Sequence, residues 1–212
     1  MLFKTCRKIE IKLENRYIFI MNKFLDACRN GKINIVKQLL PQIDPSAEDN
    51  SAIRLSARYG HKDVVELLLR DARVDPSVVN NQAIRNAAEN GYKDVVELLL
   101  GDPRVDPSDV DNWAIIYSAL NGHKDIVKLL LKDPRVDPSD GDNWAIRWAA
   151  YNGRKDIVEL LLKDSRVDPS AQNNYSIRVA AKNGHLEIVE LLEQHNYKID
   201  NVCYLKLAEK LK

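Results

Sequence analysis

Three of the four histidines, His61, His123 and His185, stand at equal intervals of 62 residues. Even spacing raises the question of a metal site, since imidazole is the commonest protein ligand for zinc, copper and nickel. Tyr92 and Arg154 fill the positions halfway between them, and His195 stands alone. The cysteines, Cys6, Cys28 and Cys203, are scattered and follow no ligand spacing. Aspartates recur in columns, among them Asp75, Asp106, Asp137 and Asp168, but turns and helix starts account for them, and no acid–base pair stands apart. No glycine-rich phosphate loop occurs, nor a Ser or Cys nucleophile with a His partner nearby. The pattern predicts no catalytic residue, no cofactor and no metal ion. The chain reads as a non-enzyme.

The columns themselves carry the information. Asparagine recurs at Asn50, Asn81, Asn112, Asn143 and Asn174, and glycine at Gly60, Gly91, Gly122, Gly153 and Gly184, both in steps of 31 residues without a slip. A fixed period in this range is the signature of a stacked repeat array. Two copies separate one histidine from the next, which is too far for a shared metal when neighbouring copies lie about a helix diameter, ~10 Å, apart. In such an array each unit touches only its neighbours, so one elongated domain is expected.

Each copy reads as two short helices. The asparagine is placed to give an N-cap oxygen to the first helix. Ile53 and Ala57, with Ile84/Ala88, Ile115/Ala119, Ile146/Ala150 and Ile177/Ala181, form its apolar face. The glycine ends it, at a step where a left-handed residue is needed. The second helix carries Val64, Val65, Leu67 and Leu68 or their equivalents, and the Val-Asp-Pro-Ser step turns the chain. Helices this short are unstable alone in water, so the copies must stack.

Repeats are expected at about 21–49, 50–80, 81–111, 112–142, 143–173 and 174–200, closed by a capping helix over 201–212. Residues 1–20 are an N-terminal extension or cap, in which Ile9, Ile11 and Leu13 alternate with charged residues in a strand-like pattern. Met21 sits where the first copy begins and is a candidate start.

Composition excludes several classes. Lys and Arg number 32 against 31 Asp and Glu, a formal charge of +1, so nothing suggests a basic stripe for nucleic acid. No apolar run is long enough to span a bilayer, and no signal peptide is apparent. The cysteine usage points to a reducing compartment, cytoplasmic or nuclear.

Helix, glycine turn, helix and extended turn, with the small pairs Ala87–Ala88 and Ala149–Ala150, the Asn121–Gly122–His123 and Asn183–Gly184–His185 steps and the Val-Val-Glu-Leu-Leu-Leu helices, resemble the ankyrin repeat. The phrasing also resembles arrays expanded in giant DNA viruses and amoebae. The resemblance implies an all-α solenoid of stacked helix–turn–helix repeats with little or no regular strand. The family's Thr-Pro-Leu-His is absent. Arg54, Arg85, Arg147 and Arg178 are expected to stand in for its histidine by bonding a backbone carbonyl or the Asp75, Asp106, Asp137 and Asp168 column.

The resemblance further implies a monomeric scaffold that binds a protein partner, not nucleic acid or membrane, through a concave groove of turn tips and first helices. An adaptor presenting targets to a ubiquitin ligase or similar machinery is the alternative. On these positions stand the candidates Tyr59, Trp113, Leu120, Trp144, Tyr151, Tyr175, Val78, Val79, Asp109 and Asp140. For Trp113, Trp144 and Tyr175, groove contact and inter-repeat packing both remain open. Trp148 and Tyr117 are read as packing.

Overall fold

The computed structural model describes the backbone of residues 2–196 and the side chains of residues 14–196; the capping helix expected over 201–212 lies outside them. Among the described residues every regular element is helical. The chain divides into two compact units, Met1–Asp106 and Pro107–Lys212.

The first unit begins with α1 (Leu2–Arg29), followed by α2 (Ile33–Leu39) and a short 3-10 turn, Leu40–Gln42. Two helical pairs follow: α3 (Ala47–Arg58) with α4 (Lys62–Leu69), and α5 (Val78–Glu89) with α6 (Lys93–Leu100). First helices stack on first helices, α1 on α3 on α5, and second helices on second helices, α2 on α4 on α6. The second unit repeats the scheme with α7 (Asp109–Asn121), α8 (Lys124–Leu130), α9 (Asp140–Tyr151), α10 (Lys155–Leu161) and α11 (Ala171–Lys182), and residues 186–196 are again helical.

The strand-like reading of residues 9–13 is corrected by α1. No glycine or proline interrupts residues 2–29, and Met21, Phe24, Ala27 and Cys28 give the helix a buried stripe at helical spacing. No helix break marks the expected boundary between residues 20 and 21. Burial pushes the Cys28 thiol up to about 12, which keeps it protonated and unreactive at neutral pH.

The core follows the repeat pattern except on α11, where Ile177 is half-buried and Ala181 exposed. Ile53, Ala57, Ile84, Ala88, Ile115, Ala119, Ile146 and Ala150 are fully buried. In α4, α6, α8 and α10, Val64, Val65 and Leu68 and their counterparts are buried, whereas Leu67 is half-buried, as are Ile35 on α2 and Val189 near the C-terminal end of the described residues. Each fully buried aliphatic side chain contributes about 1.5–3 kcal/mol. Ser56, Ala87 and Ala149 are also fully buried, so the facing helices approach closely.

The asparagine column does not cap helices as expected. Glu48, Asp49 and Asn50 have φ of 53, 54 and 53°, a left-handed interruption just inside α3. It recurs at Val79–Asn81, Val110–Asn112, Gly141–Asn143 and Gln172–Asn174. The asparagine oxygen turns away from its own helix and accepts a backbone N–H of the next copy. Asp75 N–H donates to Asn50 Oδ1, Asp106 to Asn81, Asp137 to Asn112 and Asp168 to Asn143, at 2.7–2.8 Å. Asn tolerates the left-handed region better than most residues, and its short amide reaches the neighbour.

The arginine column holds this turn in place. Arg54 donates to the Asp49 and Glu48 carbonyls at 2.8 and 2.9 Å, and Arg85 to those of Asn80 and Val79 at 2.8 and 3.1 Å. Arg147 and Arg178 reach the same turn in their copies. Of the two partners expected for these arginines, the carbonyl is the one used. The aspartates instead accept Ser N–H and Oγ–H within their own turns, as Asp75 does from Ser77 at 2.9 and 2.7 Å. Ile116 has no donor to offer.

Two further links between copies were not legible as such. In Asp71–Ala72–Arg73 the aspartate takes two guanidinium hydrogen bonds, at 2.9 and 2.6 Å, and Arg73 donates to the Ile43 carbonyl of the preceding copy. Arg104 and Arg166 repeat this, paired with Asp102 and Asp164 and donating to the Val74 and Val136 carbonyls at 2.8 Å. The histidine column forms the other link. His61 Nε2 donates to the Arg29 carbonyl at 2.7 Å and His185 Nε2 to that of Tyr151 at 3.1 Å. Each ring lies over the glycine of the copy before. A Cβ added to Gly153 would come within 2.7 Å of His185 Cε1, and one added to Gly60 would overlap the Tyr92 ring.

Candidate protein-binding surface

In the second unit the aromatic candidates collect on adjacent first helices. On α9, Trp144, Trp148 and Tyr151 follow at helical spacing and are 45, 38 and 43% exposed. Trp148 and Tyr151 meet edge to face, with ring centroids 5.6 Å apart. On α7, which packs against α9, Trp113 and Tyr117 stack at 4.0 Å with their planes 7° apart, and Leu120 follows a turn later. Tyr175 on α11 is half-buried beneath the Arg147 guanidinium, 4.4 Å from its ring centroid.

Trp148 corrects the packing reading given to it. Its column runs Leu55, Asn86, Tyr117, Trp148 and Val179. The polar Asn86, itself half-buried, was the available sign that the column can leave the core, as Trp148 does and Val179 does not. Exposed large aromatics in one stripe are uncommon on a surface with no task, since Trp and Tyr dominate the energetics of interfaces. Trp144 folds its indole back over Gly141, where an added Cβ would lie 3.1 Å from the ring Cγ.

The turn candidates of this unit are built into the fold. Asp109 Oδ1 accepts the Val110 N–H, and Asp140 Oδ1 the Gly141 N–H at 2.7 Å. Asn112 Nδ2 donates to Asp140 Oδ2 at 2.8 Å, which ties the turn of α7 to that of α9. In the first unit, Tyr59 and Val79 are exposed and Val78 is half-buried. There the positions matching the aromatic stripe hold Ser51, Leu55 and Arg58 on α3, and Gln82, Asn86 and Glu89 on α5. The paired aromatics belong to α7 and α9, with Tyr175 continuing the column on α11.

Among the described residues no group of three His, Cys, Asp or Glu gathers as a metal site would need, and no helix is long and apolar enough to cross a membrane. Helical pairs stacked through links that recur every 31 residues define a tandem-repeat protein. A family model described as ankyrin repeats in three copies matches residues 24–111, 84–173 and 115–203, and the chain belongs to the ankyrin repeat family. Among curated proteins none matches the chain. Ankyrin repeats are generally non-enzymatic modules that mediate protein–protein interaction.

Proposed function

We propose that the chain is a non-enzymatic scaffold that holds a protein partner on the first-helix face of α7 and α9. The observation that carries this reading is the exposed stripe of Trp144, Trp148 and Tyr151 beside the Trp113–Tyr117 stack. Flat rings on a rigid helix bury large area at little entropic cost, which is the composition of interface hot spots. A cytoplasmic or nuclear setting belongs to the same reading and rests on the scattered cysteines of the sequence.

Affinity capture with the wild-type chain and with a Trp144→Ala/Trp148→Ala variant tests the reading. A bound protein lost from the variant at unchanged melting temperature supports it. Equal retention by both chains counts against this face.

A further inference from the structure

We infer that the segment seated on the α7–α9 face is cationic: lysine or arginine side chains at the turn end, aliphatic side chains along the rings. This rests on the protein-binding reading above and names the chemistry of the partner.

Charge sets these two helices apart. Residues 109–121 and 140–151 hold four aspartates, Asp109, Asp111, Asp140 and Asp142, against a single base, Arg147. The matching stretches elsewhere lack this excess. Acids and bases balance in 47–58 and in 78–89, and 171–182 has only the bases Arg178 and Lys182. The acidic pair is also the aromatic pair.

The carboxylates stand beside the rings. Trp144 covers the turn between Asp140 and Asp142, and the Asn112–Asp140 hydrogen bond brings the α7 turn alongside. Asp111 and Asp142 are exposed. A cation arriving here meets Coulomb attraction from the turn and the electron-rich faces of two exposed indoles. The surface already shows the second contact in Arg147 over Tyr175. An acidic segment would set carboxylate against carboxylate, which disfavours it.

Panning a phage-displayed library of random dodecapeptides on the full chain tests the inference. The expected peptides are rich in Lys or Arg together with Leu, Ile or Val, and bind less tightly as salt is raised. An Asp111→Asn/Asp142→Asn variant should weaken them about fivefold. Both substitutions keep side-chain volume and an acceptor oxygen, so the fold is not at stake. Trp144→Ala/Trp148→Ala should abolish binding. Neutral or acidic peptides that still need the two tryptophans overturn the cationic partner and leave the docking face standing, as do basic peptides indifferent to the Asn variant. Peptides indifferent to the tryptophans, or a library yielding no binder, overturn both.

Discussion

Asn81 Oδ1 accepts the backbone N–H of Asp106, 25 residues further on, at 2.8 Å. One side chain thus fixes the turn of the following copy while it sits, 6% exposed, in a left-handed backbone step of its own.

Replacing Asn81 tests both roles. Asn81→Ala leaves the partner N–H unsatisfied and should cost about 1–3 kcal/mol, with a further ~1 kcal/mol for placing a Cβ residue without a compensating side chain in the left-handed region. Asn81→Gly loses the hydrogen bond but keeps the backbone step, so it should cost less than Ala. Urea denaturation of both variants checks the order.

Acid should weaken the array through its Asp–Arg pairs. The Arg104 hydrogen bonds hold the Asp102 carboxyl below the ordinary carboxylate range, as Arg73, Arg135 and Arg166 do for Asp71, Asp133 and Asp164. A lowered folded value means stability that is complete above the unfolded value of about 3.9. It is lost as pH falls through the lowered folded value. The melting temperature should therefore stay level from neutral pH to about 5 and drop below about 4. Asp102→Asn should cost about 1 kcal/mol at neutral pH and make the acid decline shallower.

Two glycines separate strain from collision. Gly153 (φ 70°) and Gly184 (φ 77°) both end first helices, but among the described residues an added Cβ meets His185 at Gly153 and nothing within 4 Å at Gly184. Gly184→Ala should cost about 1–2 kcal/mol, the price of the backbone step. Gly153→Ala should cost more, and His185→Ala in the same chain should return part of the difference. Thermal melts of the three variants decide it.

The stacked rings of α7 and the open rings of α9 should behave differently. A double-mutant cycle on Trp113 and Tyr117 should show coupling of about 0.5–1.5 kcal/mol. Trp148→Ala should leave stability within about 1 kcal/mol of wild type while binding of the partner falls. A large loss of stability at Trp148 would return it to the core.

The array, its period and its helical pairs could be read from the sequence because Ile84, Ala88, Val96 and Leu99 repeat at helical spacing and short helices have no other way to bury them. The glycine step was legible too, since Gly60 and its equivalents stand where a left-handed residue closes a helix. Roles that depend on a neighbouring copy were not. Asn50 has the composition of a helix cap, and only the stack shows its oxygen pointed at Asp75. Arg73 and Asp71 look like ordinary surface charges until the Ile43 carbonyl is beside them. Trp148 was less legible because its column runs from the half-buried Leu55 and Asn86 to the buried Val179, so the position alone does not fix exposure.

The asparagine link joins each copy to its immediate neighbour, and the copies from Asn50 to Asn143 all bring the amide oxygen that makes it. Excising residues 143–173 would join Asp142 to Asn174, an asparagine where an asparagine stood. Inheritance can therefore add or remove a whole copy at the asparagine step without orphaning the amide that this step holds.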